Sequence, residues 1–145
     1  IPTVTLDGGG EVRVIAGALQ QSTGRVSGPI GGLSTEPMYF DVRLPAGVDA
    51  TIPVPATHNA LLYVYEGDAV VGDDDRALPF RAAGLLASGD AVRIRAGGQG
   101  AKLLLLAGRP IGEPVVQYGP FVMNTPREIE QAIVDYQRGT LAAAG

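Results

Sequence analysis

The stretch PVPATHNALLYVYEGDAVVG, residues 53–72, decides the fold. Its centre, residues 60–65, is a continuous apolar run that ends at Glu66-Gly67, and a second short apolar segment follows the glycine. A short apolar run bounded by turn residues is typical of a strand buried in the core of a sandwich or barrel. We therefore expect two strands here, with a turn at Gly67 between them.

Two segments on the N-terminal side alternate apolar and polar residues, as strands with one buried face do. They are residues 11–16 and residues 38–44. In the second segment, the side chains predicted to face inward are Met38, Phe40, Val42 and Leu44, and those predicted to face outward are Tyr39, Asp41 and Arg43. Between the two segments, residues 17–36 are rich in Gly, Ser, Gln and Thr without a period, which predicts a long loop.

On the C-terminal side, three further strands are predicted, over residues 84–87, 91–95 and 101–107. Turn residues separate them at positions 88–90 and 97–100. Short strands with turn signals at intervals of about 8–12 residues indicate a sandwich or a closed barrel. A chain of 145 residues with this pattern fits a single all-β domain.

One helix is predicted near the C-terminus. Residues 125–128, TPRE, have the pattern of a capping box with proline at the first helical position. The apolar stripe that follows consists of Ile129, Ala132, Ile133 and Tyr136. Gly139 then supplies a helix end, so we expect the helix to cover residues 126–138.

Composition excludes several classes of function. Eleven basic residues against 15 acidic ones, with neither sign in a long run, argue against a nucleic-acid partner. The absence of cysteine excludes disulfides, thiolate zinc sites and cysteine nucleophiles, and it fits a cytoplasmic setting. The apolar block at residues 103–107 is far shorter than the ~20 residues of a membrane span, so no membrane association is expected.

Residues 63–67 and Gly89-Asp90 resemble the two signature segments of the cupin barrel. In that family the first segment reads G-x5-H-x-H-x(3,4)-E-x6-G. With Gly67 as the closing glycine, the glutamate position falls on Ala60. The two histidine positions fall on Val54 and Ala56 or on Pro53 and Pro55, and none of these side chains can hold a metal.

The second cupin segment reads G-x5-P-x-G-x2-H-x3-N, and here only its glycines match. Gly89 and Gly97 keep the family separation, whereas Arg95, Gly100 and Leu104 replace the proline, histidine and asparagine. The whole chain has one histidine and no cysteine, so no site of several imidazoles can form within one copy. We therefore expect no metal ligand, no cofactor and no catalytic residue in this chain.

The remaining reactive side chains indicate no enzyme class. His58 as a general base needs a nucleophile or substrate proton within reach, and the sequence supplies none, so ordinary hydrogen bonding is the favoured interpretation. Ser22, Thr23 and Ser34 lack the motif of a hydrolase nucleophile. The acidic residues 73–75 lack the alternating spacing of a calcium loop. We interpret the aromatic residues as core and rim rather than as a sugar or flavonoid cleft.

Two C-terminal segments closely resemble the corresponding part of the pirin family. They are GPFVMNTP at residues 119–126, continued by Glu128-Ile129 and by DYQRG at residues 135–139, and LAGRPIGEPVV at residues 106–116. Weaker similarity extends back over essentially the whole chain. The resemblance implies a degenerate cupin domain over residues 1–145, a double-stranded β-helix or jelly-roll barrel with one C-terminal α-helix.

Pirins are bicupins, and the family's iron site of three His and one Glu belongs to the N-terminal barrel. This chain resembles the C-terminal barrel alone and opens at Ile1 without an initiator Met, so we expect it to be a piece of a longer polypeptide. The resemblance implies Fe(II) in the missing N-terminal domain and an intact protein similar to quercetin 2,3-dioxygenase. The alternative is a metal-free regulatory module that binds protein partners. A third class, a sugar-binding sandwich, predicts affinity for glycans.

The expected partner of this chain is the N-terminal cupin domain of the same polypeptide. Two apolar features are candidate docking surfaces for it, an exposed helical stripe and the arm that precedes the helix. The residues are Tyr118, Phe121 and Met123 in the arm, and Ile129, Ile133 and Tyr136 in the stripe. An apolar face left uncovered favours association.

Overall fold

The computed structural model describes residues 1–142, which form two compact units that divide at Pro110. Strands predominate in the first unit, and the second unit contains a short hairpin and one helix, so the predicted all-β fold class with one C-terminal helix is confirmed. That both units belong to a single domain stays a prediction. The helix has 13 residues and lacks the length and apolar character needed to cross a membrane.

The first unit consists of strands that pair antiparallel. They are β1 Thr3–Thr5, β2 Glu11–Ala16, β3 Ala18–Gln21, β4 Gly24–Ser27, β5 Met38–Leu44, β6 Asp49–Pro53, β7 Asn59–Val71, β8 Arg76–Leu78, β9 Ala83–Leu85 and β10 Ala91–Gly108. The main sheet has the order β1-β2-β5-β10-β7-β8, with β6 beside β10 and β9 beside β7. Strands β3 and β4 form a separate hairpin.

The core of this unit is built by the alternation that the sequence predicts. The inward residues of β5, which are Met38, Phe40, Val42 and Leu44, are all buried. They pack with Leu62 and Val64 of β7 and with Leu103 and Leu105 of β10 in one apolar cluster. Asp41 lies on the outer surface of the sheet, as predicted, but it is not exposed to solvent. It is only 9% exposed, because the neighbouring side chains of Arg43 and Tyr65 cover it.

Strands β7 and β10 are each continuous, although the glycines within them predict breaks. The predicted turns at Gly67 and at residues 97–100 are therefore wrong. Gly67 and Gly100 have φ values of +71° and +79°, and they bend the strands instead of ending them. The backbones cross so closely there that a Cβ on Gly67 would collide with the Gly100 carbonyl oxygen.

The bends allow one strand to serve several partners. Residues 91–95 of β10 pair with β6, and residues 101–107 pair with β5, while β7 lies along both halves. The register between β7 and β10 shifts between Ala96 and Ala101, where the glycines lie. A glycine cluster inside a strand thus marks a change of partner in this fold.

Two further predictions need correction. The predicted loop over residues 17–36 contains the hairpin β3–β4, whose two-residue turn at Ser22-Thr23 joins strands too short to show a period. Within this hairpin, the side chains that face the core are Leu19 and Val26. The strand predicted over residues 84–87 is observed as Ala83–Leu85. This strand, β9, pairs with β7.

The second unit, described from Ile111 to residue 142, consists of a hairpin and a helix. Strand β11 Val116–Tyr118 pairs with β12 Phe121–Met123, and helix α1 Pro126–Arg138 follows. The Thr125 Oγ1 accepts a hydrogen bond from the Glu128 N–H at 3.3 Å, and Gly139 ends the helix at φ +71°. The predicted helix bounds are confirmed.

Candidate functional site

A cleft of about 940 Å³ opens in the first unit. Three segments surround it: the hairpin β3–β4, residues 28–38, and residues 53–58. Pro53, Val54 and Pro55 line it, so the stretch in which the sequence places the absent cupin ligands does border a cavity. We therefore treat this cleft as the candidate binding site of the first unit.

His58 also lines the cleft, and both of its ring nitrogens have partners. Nε2 lies 3.0 Å from the carbonyl oxygen of Glu36, and Nδ1 lies 3.3 Å from the Thr57 Oγ1. A carbonyl oxygen can only accept, so Nε2 donates and Nδ1 accepts from the threonine hydroxyl. This supports the interpretation of His58 as a residue that makes ordinary hydrogen bonds.

The contact from His58 fixes the segment that forms one side of the cleft. Glu36 has a φ of +46°, a conformation that a side chain disfavours and that its surroundings hold in place. Its carboxylate lies 2.7 Å from the Arg109 guanidinium, and the Arg109 N–H donates to the Thr35 carbonyl at 2.8 Å. The loop over residues 28–38 is thus tied at its C-terminal end.

The donors in the cleft do not fit an iron ion. His58 is engaged with the loop, and Glu36 is paired with Arg109. Among residues 1–142, no three His, Cys, Asp or Glu side chains come together as a metal site would require. The side chains of Pro53, Val54 and Pro55, which line the cleft, carry no atom that could coordinate a metal. We therefore derive no chemical step through a metal bound to this chain.

The cleft has two walls of different character. The polar wall consists of Gln20, Arg25 and Ser27 on one side of the hairpin, where Gln20 and Arg25 are direct cross-strand partners. The apolar wall consists of Pro37, Met38, Pro53, Val54 and Pro55. The sequence did not reveal the polar wall, because residues 17–36 show no period from which a hairpin and its two faces could be predicted.

A second polar arrangement lies on the outer surface of the main sheet. The Tyr65 hydroxyl donates to Asp41 Oδ1 at 2.6 Å, and the Arg43 Nη2 donates to Asp41 Oδ2 at 3.0 Å. Burial, together with the hydrogen bond to Asp41, raises the pKa of Tyr65 to about 12. The hydrogen bond to Asp41 also raises the pKa of Arg43. This network links side chains of β5 and β7, and its three polar groups are engaged with one another.

Apolar side chains surround the network on the same surface. Leu106 of β10 lies between Tyr39 and Leu61 on the neighbouring strands, and Leu61 pairs with Leu85. We call this surface of the first unit the outer apolar face, formed by Tyr39, Leu61, Tyr63, Leu85, Leu104 and Leu106. Leu85 is 88% exposed and Tyr39 is 36% exposed. The sequence suggested no docking role for these residues.

The structure separates the predicted docking residues of the second unit into three groups. Tyr118 and Tyr136 are 67% and 70% exposed, and Phe121, Met123 and Ile133 are half-buried. Ile129 is only 6% exposed, so the prediction of an exposed stripe is wrong at that residue. The structure also brings Phe121 and Tyr136 together edge to face, with ring centroids 6.4 Å apart.

Known proteins provide an independent comparison. The family described as the Pirin C-terminal cupin domain matches residues 39–142. A pirin-like protein of Caulobacter vibrioides is 48% identical over 139 residues, which cover 96% of this chain and 48% of that protein. A candidate quercetin 2,3-dioxygenase of Pseudomonas aeruginosa is 43% identical over 146 residues, covering 98% of this chain and 50% of the relative.

A solved structure extends the similarity to three dimensions. The crystal structure of quercetin 2,3-dioxygenase from Acinetobacter baumannii matches with a TM-score of 0.79 and 35% sequence identity. The match covers 98% of this chain and 48% of that one. The predicted cupin-type fold is confirmed, and the chain spans about half the length of the curated relatives it matches.

Proposed function

Because the chain belongs to the pirin family, as its C-terminal cupin domain, we propose that it is the supporting domain of a two-barrel protein whose N-terminal barrel binds Fe(II). The intact protein would then act as an oxygenase similar to quercetin 2,3-dioxygenase, the name carried by the similar Acinetobacter structure. We also propose a cytoplasmic location, and the lack of cysteine in this chain is in keeping with it.

One observation carries the proposal. Pro53, Val54 and Pro55 border the cleft at the positions where a cupin has ligands, yet none of their side chains carries a donor atom. The glycines that shape the barrel, Gly67 and Gly100, are nevertheless present and adopt positive φ values. A domain that keeps the scaffold without the ligands is suited to support and not to redox chemistry.

The outer apolar face is the surface of the first unit best suited to contact the N-terminal domain. Its residues cross four neighbouring strands, and Leu85 at one edge is 88% exposed. A contiguous apolar surface on a stable sheet favours association with another protein surface. Tyr118, Met123 and Tyr136 of the second unit are a separate docking candidate, with two exposed tyrosine rings.

The alternative is a regulatory module that binds protein partners without catalysis. The exposed side chains of Tyr118, Val122 and Tyr136 favour it, since tyrosine and other large side chains are enriched at protein interfaces. In this alternative no metal is required anywhere in the polypeptide. Metal content therefore separates the two functions.

The test begins with the complete reading frame that encodes this chain. We expect an upstream H-x-H segment, followed about forty residues later by H-x-E, a spacing suited to four ligands on adjacent strands. The complete protein is expected to bind one iron per polypeptide and to consume oxygen when quercetin is added. The 145-residue chain alone serves as the control and is expected to bind no stoichiometric iron, zinc or nickel.

Two results would contradict the proposal. Stoichiometric iron on the 145-residue chain alone would show that this domain holds a metal site of its own. A complete protein with apolar residues at the upstream ligand positions would leave only the regulatory alternative. Capture of a defined protein partner by that metal-free polypeptide, lost on substitution of Tyr118 or Tyr136, would then support the alternative.

A further inference from the structure

We infer that the cleft of the first unit is a metal-independent binding site for a small aromatic monocarboxylate. Its volume of about 940 Å³ lies within the range of about 300–1,000 Å³ that is usual for small-molecule sites. The inference concerns this chain's own residues and requires neither iron nor a second domain. It goes beyond the supporting role proposed above and can fail or succeed independently of it.

The polar wall supplies the group that binds the carboxylate. Arg25 lines the cleft, and its guanidinium forms no ion pair or hydrogen bond with any other side chain in residues 1–142. A guanidinium presents parallel N–H donors that match the two oxygens of a carboxylate. The Ser27 hydroxyl on the same side is a further donor, and Gln20 lies directly across the hairpin from Arg25, with its Nε2 donating to the Gln21 carbonyl at 3.1 Å.

The hairpin holds this polar wall in a fixed orientation. Successive residues of a strand face opposite sides, so the face behind Gln20 and Arg25 carries Leu19 and Val26. Leu19 is 1% exposed, and Val26 packs against the core cluster. The apolar anchoring of one face therefore keeps the donors of the other face toward the cleft.

The apolar wall determines the body of the ligand. Pro37, Pro53 and Pro55 present rigid rings without N–H donors, and the largely buried Met38 also borders the cleft. Rigid walls lose little conformational entropy when a ligand packs on them. A planar aromatic ring suits such a surface, because its flat faces can pack on rigid proline rings. The site thus favours an aromatic ring over a flexible chain.

The other charged groups limit the charge of the ligand. The Glu36 carboxylate is neutralised by Arg109 at 2.7 Å. Asp90 also lines the cleft and forms no ion pair within the described residues 1–142. Its negative charge opposes an inorganic phosphate or other dianion, while Arg25 attracts a single carboxylate. A monoanion is therefore the ligand class that this charge pattern accommodates.

The test is a titration of the 145-residue chain with benzoate, followed by the backbone amide resonances. We expect saturable shifts at residues of the β3–β4 hairpin and of residues 53–58. Benzamide, which has the same ring without the charge, and acetate, which has the charge without the ring, are each expected to bind at least about tenfold more weakly. Inorganic phosphate at the same concentration is expected to produce no competition.

A pair of matched variants completes the experiment. Arg25→Gln is expected to weaken benzoate binding by about tenfold or more, because it removes the charge and the parallel donors. Arg13→Gln changes an exposed arginine of β2 that does not line the cleft, and it is expected to bind benzoate like the unaltered chain. The amide spectrum of each variant without ligand verifies that the fold is retained.

Several outcomes would overturn the inference. They are equal binding of benzoate and benzamide, equal binding of benzoate and acetate, competition by phosphate, and unchanged affinity in Arg25→Gln. Shifts confined to residues outside the cleft would also overturn it. Only the affinity measurement on Arg25→Gln depends on a variant that must fold. The other measurements use the unaltered chain, so a folding defect cannot affect their results.

Discussion

At the scale of single residues, Asp41 shows what an alternating pattern can and cannot predict. The pattern of residues 38–44 places Asp41 on the outer surface of the sheet, which agrees with its pairing positions. It does not predict that Tyr65 and Arg43 cover the carboxylate, because Tyr65 lies on another strand 24 residues away. Burial of one residue by a distant one depends on strand pairing, which the local sequence does not contain.

Tyr65→Phe is expected to destabilise the protein by about 1–3 kcal/mol, because Asp41 Oδ1 loses its donor while it stays buried. Urea unfolding of the 145-residue chain measures the change. Tyr63→Phe is the matched control, since the Tyr63 hydroxyl makes no side-chain hydrogen bond within residues 1–142, and a change below about 0.5 kcal/mol is expected. Equal effects of both variants would contradict the role of the Tyr65 hydroxyl.

The same tyrosine predicts a pH dependence of stability. Burial raises the pKa of Tyr65 from its usual value near 10 to about 12. Above about pH 10 the unfolded chain loses this proton while the folded chain retains it, so stability falls as the pH rises from about 10 to 12. Unfolding curves across that range are expected to show a smaller decline in Tyr65→Phe. An identical decline in both proteins would assign the effect to other groups.

At the scale of elements, local signals predicted the strands and the helix whose ends they define. Helix α1 matches its prediction at both ends, because Thr125, Pro126 and Gly139 act on the backbone directly. Strands β7 and β10 do not match their predictions. Glycine can adopt a positive φ both in a turn and in a bend within a continuous strand, so its presence does not distinguish the two. Pairing with the neighbouring strands determines whether such a glycine forms a turn or a bend, and a local sequence pattern contains no information on that pairing.

Gly67→Ala tests the crossing of β7 and β10. We expect a loss of about 2–4 kcal/mol or more in the free energy of unfolding, since a Cβ there collides with the Gly100 carbonyl oxygen and the φ of +71° disfavours a side chain. Thermal unfolding gives the measurement. Gly98→Ala is the control, because its added Cβ would have no atom of residues 1–142 within 4 Å apart from its chain neighbours, and similar losses in both variants would refute the crossing.

Thr125→Ala tests the start of α1. Loss of the side-chain acceptor for the Glu128 N–H is expected to destabilise the helix by about 1 kcal/mol. Amide hydrogen exchange of residues 127–130 is expected to accelerate, whereas exchange in β5 stays unchanged. Thr125→Ser retains the hydroxyl acceptor and serves as the control, so faster exchange in that variant would show that the cap is not responsible.

At the scale of the whole molecule, the sequence located the stretch that borders the cleft and established that Pro53, Val54 and Pro55 lack donors. It did not predict the polar wall, because Gln20 and Arg25 become neighbours only when the hairpin forms. The outer apolar face was missed for a related reason. Leu104 and Leu106 belong to a continuous apolar run in which the inward and outward residues look alike.

Leu85→Asp tests the outer apolar face. In the 145-residue chain alone, the change in stability is expected to stay below about 0.5 kcal/mol, since Leu85 is already 88% exposed. In the complete polypeptide, a lower Tm by about 3 °C or more is expected because an apolar contact between domains is lost. Ile111→Asp, at another exposed apolar residue, is the control. An unchanged Tm of the complete polypeptide would exclude this face from domain docking.

The continuity of β10 has a consequence for the order of events during synthesis. This last strand of the first unit pairs with β5, β6 and β7, which all precede it in the chain. Until residue 108 has left the ribosome, those three strands lack their common partner and expose unpaired backbone edges. Closure of the core therefore occurs late and depends on contacts distant in sequence, a topology for which slow folding is expected.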